Sequence, residues 1–227
     1  MAFAAVIFDF DGLIIDSETP LFDIWSEIYQ QHGAELALAD WQHALGTQGG
    51  FDPYADLAAR TGHALPREEW TLRVGSEHWR RCETQPLLPG VADRLAEARA
   101  LGLGTAVASS SLARWVMPWL ERHGLATLFD VVCTRDDVAA VKPAPDLFLL
   151  AAERLGVRPE NCVVFEDSPN GLRAARAAGM WAVAVPNLLT LPLELPPHDL
   201  ALESLAEWTL ADLRVALRRS APASSRS

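Results

Sequence analysis

Residues 6 to 18 read Val6-Ile7-Phe8-Asp9-Phe10-Asp11-Gly12-Leu13-Ile14-Ile15-Asp16-Ser17-Glu18, and the rest of the chain is organised around them. Ala4 to Phe8 is a short apolar run, β-branched and aromatic without alternation, the pattern of a strand buried on both faces. Such a strand should not end in two carboxylates one residue apart unless something offsets them. Like charges repel, and desolvation adds to the cost. A divalent cation is the simplest offset, and oxygen donors suit Mg²⁺. Gly12 then permits a sharp turn directly after the acids. Taken alone, Asp9 and Asp11 read equally well as solvated turn residues at a strand end.

Three further pieces follow in order. Ser109-Ser110-Ser111 closes a second apolar strand, Lys142-Pro143 opens a helix, and Glu166-Asp167-Ser168 closes another strand. Singly, the serines are turn or cap chemistry and Asp167-Ser168-Pro169 is a helix N-cap. Lys142 is the only lysine beside 18 arginines, so its place in a motif points to a task for a compact ammonium group. The competing reading is a chance leftover on a solvated loop. Together the four pieces resemble the motifs of the haloacid dehalogenase superfamily, and within it the branch of β-phosphoglucomutases and phosphoglycolate phosphatases. The resemblance covers nearly the whole chain.

The resemblance implies a central first strand flanked by the Ser109 strand and the Asp167 strand. It implies that Asp9 is the nucleophile and that Asp11 is the acid, then the base. Relatives that cleave carbon–halogen bonds lack this second acid. Ser109 and the neighbouring Ser110 would hold the phosphoryl group, aided by a helix N-terminus near Ser111. Lys142 would balance phosphate charge and steady Asp9. Mg²⁺ would be held by Asp9, Asp167 and the backbone carbonyl of Asp11, with Glu166 close by or ligating through water. Asn170 and Gly171 match the turn after the acidic pair. Gly46, Thr47 and Gln48 would form a specificity loop.

Between the first strand and residue 84 the pattern is helical. Thr19-Pro20, Asp40, Asp52-Pro53 and Pro66 mark four helix starts. His32 ends an apolar stripe and reads as a boundary residue, and Trp25, Trp41, Trp70 and Trp79 read as a small core. From Pro89 strands and helices alternate, as in a parallel sheet covered on both faces. Residues 186–198 read as an irregular surface connection. The expected fold class is therefore α/β: a Rossmann-like parallel sheet core of residues 1–15 and 87–227, with a helical cap of residues 16–86 inserted after the first strand.

A net charge of −11 makes nucleic acid an unsuitable partner, and no apolar run reaches the length of a membrane span. The chain enters its first strand almost at once, leaving no room for a signal peptide, and Cys82, Cys133 and Cys162 read as buried free thiols of a cytoplasmic protein. Residues 16–86 hold 12 acids and 5 arginines, so positive charge at the site must come locally from a metal and Lys142. The expected partner is a small phosphorylated metabolite, and the expected state a monomer or weak dimer.

Three activities compete on this frame. A β-phosphoglucomutase-like enzyme would need a histidine and two cations around the cap glycine. Leu21, Leu45 and Gly49 stand there instead, unless a shift brings Arg60 or His43 into reach. Phosphonate cleavage needs a cap lysine, and none exists. A non-catalytic regulatory protein is disfavoured because Asp9, Asp11, Ser109, Lys142 and Asp167 are all chemically competent. A Mg²⁺-dependent phosphatase of a sugar phosphate or phosphoglycolate-sized substrate remains.

Overall fold

The computed structural model describes residues 3–42, 45 and 50–220. The expected specificity loop, Gly46 to Gln48, lies outside these residues, as do His43 and Gly49. Strand β1 (Ala5–Phe8) sits at the centre of the sheet because every one of its side chains is buried. Val6 and Phe8 point to one face and Ala5 and Ile7 to the other, the period of two that a strand imposes. It pairs in parallel with β2 (Gly104–Ala108) and β4 (Cys162–Glu166), as expected. Outward lie β3 (Val131–Cys133) on one side, and β5 (Trp181–Ala184) and β6 (Leu200–Ala201) on the other. The six-stranded order is β3-β2-β1-β4-β5-β6, parallel throughout.

One sheet face packs on α5 (Val91–Ala100), α6 (Ala113–Arg122) and α9 (Leu210–Ser220). The other packs on α7 (Asp146–Leu155) and α8 (Pro169–Ala177). Among the described residues, four α-helices fall between β1 and α5: α1 (Glu18–Gln31), α2 (Leu38–Trp41), α3 (Pro53–Thr61) and α4 (Arg67–Cys82). They bury their own cluster of Ile24, Trp25, Ile28, Tyr29, Trp41 and Leu57. The two chain crossings run side by side, with Ile15 bridging Leu87 and the Leu88 N–H donating to the Ile14 carbonyl at 2.9 Å.

Several local expectations are corrected. The first helix opens at Glu18, because Asp16 Oδ1 accepts the Thr19 N–H at 3.0 Å and so does the capping. The second was expected from Asp40, but that side chain pairs with Arg60 at 2.7 Å, and the helix starts from the Ala37 carbonyl. Lys142-Pro143 does not open a helix; the Ala144 N–H closes a turn on Val141 and α7 begins at Asp146. Helix α6 begins at Ala113 rather than Ser111. Trp79 leaves the insert's core to meet Trp115 and Trp119 of α6, with ring centroids 5.7 and 4.6 Å away. The connection at 186–198 is not wholly on the surface, since Leu189 and Thr190 are buried and Leu189 packs on the insert. His32 caps α1 as expected, its Nδ1 2.8 Å from the Ile28 carbonyl.

Candidate active site

Strands β1, β2 and β4 end at the same sheet edge, so the residues following them converge there, where open parallel sheets place their ligands. Asp9, Lys142, Glu166 and Asp167 are all buried at this edge. The Lys142 ammonium reaches Asp9 Oδ1 on one side and Glu166 Oε2, at 2.8 Å, on the other. It also lies 4.8 Å above the Phe148 ring. Glu166 uses its second oxygen on Ser168, from Oγ at 2.8 Å and N–H at 3.1 Å. Both Glu166 oxygens thus accept hydrogen bonds, one from Lys142 and one from Ser168.

Buried carboxylates dominate the electrostatics of the site. Burial raises the Asp9 pKa to about 7, with the Glu166 charge adding and Lys142 opposing. Asp167 is pushed well above the usual carboxylate range by burial, then by Glu166 and Asp9. Glu18, half-buried at the rim, rises to about 8 through burial and the Asp11 charge. Burial pulls Lys142 down, but Asp9 and Glu166 more than reverse it and leave it above its ordinary value. One ammonium does not balance this many carboxylates. Asp9, Glu166 and Asp167 bring oxygens within 4.8 Å of one another, a hard-donor set that fits Mg²⁺. Asp167 is aimed by Asn187, whose Nδ2 donates to its Oδ2 at 2.7 Å.

Two glycines are fixed by this crowding. At Gly12, with φ of 78°, a Cβ would sit 2.7 Å from Asp167 Oδ2. At Gly171 it would fall 1.9 Å from the Glu166 carboxyl group, so the requirement there is close approach and not a left-handed backbone.

Asp11 stands apart from this cluster. Its Oδ1 accepts from Ser17 Oγ and Trp115 Nε1, and its Oδ2 from Ser111 Oγ and, more weakly, Ser109 Oγ at 3.3 Å. Ser109 is fully buried and takes the Ser111 N–H on its Oγ at 3.0 Å. Ser110 is half-buried, with its Oγ enclosed. At the α6 N-terminus Asp136 accepts the Ala113 N–H at 2.7 Å. A cavity of about 430 Å³ opens between insert and sheet, walled by Asp11, Leu21, His78, Ser111 and Trp115 among others. Asn170 spans the same gap, donating to the Leu45 carbonyl at 3.2 Å.

Sequence reading missed His78, Trp115 and Asn187, and it placed Ser111 in the serine motif without pairing it to Asp11. His78 lies one turn from both Val74 and Cys82 on α4, so that buried stripe carried a signal for it. Asn187 follows β5 at the edge where the other motifs end, a positional hint of the same kind.

Asp9, Lys142 and the Glu166-Asp167 pair thus meet at this edge in chain order. A family model for haloacid dehalogenase-like hydrolases matches residues 3–179, and the chain belongs to that family. It is 45% identical to YhcW of Bacillus subtilis over 207 residues, covering 91% of this chain and 94% of that one. It is 38% identical over 196 residues to the fructose-1-phosphate phosphatase YqaB of Escherichia coli, covering 81% and 96%. Among solved structures, CbbY from Rhodobacter sphaeroides with xylulose-(1,5)bisphosphate superposes with a TM-score of 0.73 at 30% identity, covering 90% of this chain and 96% of that one. The chain is a phosphoric monoester hydrolase.

Proposed function

We propose that the protein hydrolyses a small sugar phosphate of the fructose 1-phosphate kind through an aspartyl-phosphate on Asp9, with Mg²⁺ as cofactor. The observation that carries this is Lys142, buried and bridging Asp9 to Glu166 beside Asp167. The Asp9 carboxylate attacks phosphorus and the ester P–O bond breaks, while Asp11 gives its proton to the departing oxygen. Asp11 then takes a proton from the water that attacks the acyl phosphate, releasing phosphate and freeing Asp9. The Lys142 charge opposes the protonation of Asp9 that burial favours and meets the transferring phosphoryl group, which Ser109 and Ser110 flank at the β2 end. Asp9, Asp167 and the Asp11 carbonyl would hold the metal, with Glu166 behind Lys142. Mg²⁺ supplies the missing positive charge and polarises phosphoryl oxygens.

Substrate size follows from the cavity, whose volume of about 430 Å³ suits a sugar phosphate under a cap of residues 16–86 that closes over the site. The buried, unpaired thiols suit a reducing cytoplasm. Among the described residues no helix is long and apolar enough to cross a membrane. A mutase has less support, because Arg60 is spent on Asp40 and Asp56, which leaves Arg114 as the one cation among the described residues of the cavity wall. Rapid acid quench with radiolabelled fructose 1-phosphate tests the proposal. Label should be trapped on the wild-type protein and absent from Asp9→Asn. An enzyme that turns over without ever carrying label would contradict the covalent route.

A further inference from the structure

Asp11 has four side-chain donors, and one differs in kind. Ser17 Oγ at 2.7 Å and Trp115 Nε1 at 2.8 Å hold Oδ1, while Ser111 Oγ at 2.6 Å and Ser109 Oγ at 3.3 Å hold Oδ2. A serine hydroxyl can turn between donating and accepting, whereas an indole N–H only donates. Trp115 therefore commits Oδ1 to accepting whichever way the hydroxyls turn. That leaves Oδ2 on the side of Ser109, where the phosphoryl group is proposed to sit.

Trp115 is itself fixed from the insert. His78 of α4 stacks on its ring, with centroids 4.6 Å apart and planes 20° from parallel. Trp79 and Trp119 meet its edges at 5.7 and 5.5 Å. His78 Nε2 lies 2.7 Å from the Ser17 carbonyl, so that nitrogen carries the hydrogen. Both groups on Asp11 Oδ1 are thus tied to His78, Trp115 through its ring and Ser17 through its carbonyl.

We infer that Trp115 is a positioning residue for Asp11, with His78 as its support across the insert–sheet boundary. The inference rests on the phosphatase reading and goes beyond it by naming what aims the proton-transfer group. An alkyl phosphate needs a proton on its departing oxygen, while p-nitrophenyl phosphate expels a stable phenolate without one. Trp115→Phe keeps an aromatic ring for His78 and removes the N–H donor together with part of the ring surface.

Trp115 also walls the cavity, so the readout is a ratio: in Trp115→Phe, kcat/KM for fructose 1-phosphate relative to that for p-nitrophenyl phosphate should fall on the order of tenfold or more. His78→Ala should show the same split, and His78→Phe, which restores the ring but not the bond to the Ser17 carbonyl, should regain part of the lost rate. A second readout needs no turnover. In ¹⁵N-tryptophan protein held in EDTA, the Trp115 indole resonance is identified by its loss in Trp115→Phe. It should move furthest of the indoles in Asp11→Ala. Equal losses on both esters, or a Trp115 resonance indifferent to Asp11→Ala, would overturn the inference and leave the phosphatase reading standing. A wild-type protein that cleaves neither ester would overturn that reading, and the inference with it.

Discussion

Lys142 lies between Asp9 and Glu166 with 1% of its surface exposed, and no other lysine exists to replace it. An ammonium group meets both carboxylates from a single point, while a planar guanidinium must spread its donors. Lys142→Arg should therefore lower kcat by about a hundredfold or more although the charge is kept; a rate near wild type would show that only charge matters there. Asp9→Asn should abolish turnover without unfolding the protein. Its effect on stability has a definite sign. Because burial raises the Asp9 pKa to about 7, the folded metal-free protein holds a proton there that the unfolded chain has released. The stability of the metal-free protein thus falls as pH rises from about 4 to 7, and the full cost stands above 7. In EDTA, Asp9→Asn should melt no lower than wild type at pH 8, and its relative advantage should shrink toward pH 4, as calorimetry would show.

The elements bring these residues together by a simple device: three adjacent parallel strands end at one edge, and helix α8 starts against Glu166. Gly171 sits in the first turn of α8 because its own N–H is taken by Ser168 Oγ at 3.1 Å while Glu166 fills the space a Cβ would need. Gly171→Ala should displace Glu166, unseat Lys142 and destabilise the fold by about 1–3 kcal/mol, with activity falling well beyond that loss. Urea midpoints measured alongside kcat would separate the two effects, and an unchanged kcat would refute the packing argument. The strands were legible in the sequence because a strand buried on both faces leaves an apolar run, and the acids after β1 and β4 violate that pattern where it stops. Trp115 and His78 were not legible. Each reads as an ordinary aromatic position on its own helix, and their meaning comes only when α4 lies across α6. Trp79 was misplaced for the same reason, since helical periodicity shows which side is apolar but not which neighbour covers it. Strand β6 spans two residues held by Asp199, whose Oδ2 takes the Ala182 N–H at 2.8 Å, too short to leave any pattern.

At the scale of the molecule the chain is acidic, with a net charge of −11, and its buried acids gather where the sheet and the helical insert meet. A cation bound there acts on the folded state only, so it should stabilise the fold through mass action. At a concentration of one hundred times its dissociation constant the gain is about 2.7 kcal/mol. Mg²⁺ should thus raise the melting temperature of the wild-type protein and leave Asp167→Asn almost unmoved. Equal shifts in both proteins would place the cation elsewhere. The central claim is metal-dependent hydrolysis of a small sugar phosphate. Its most direct test is phosphate release from a panel of phosphate esters, fructose 1-phosphate and β-glucose 1-phosphate among them, with Mg²⁺ and with EDTA. The account predicts release with Mg²⁺, none with EDTA, and no isomerised sugar phosphate. Conversion of β-glucose 1-phosphate to glucose 6-phosphate in place of phosphate release would contradict it, as would release that EDTA does not suppress.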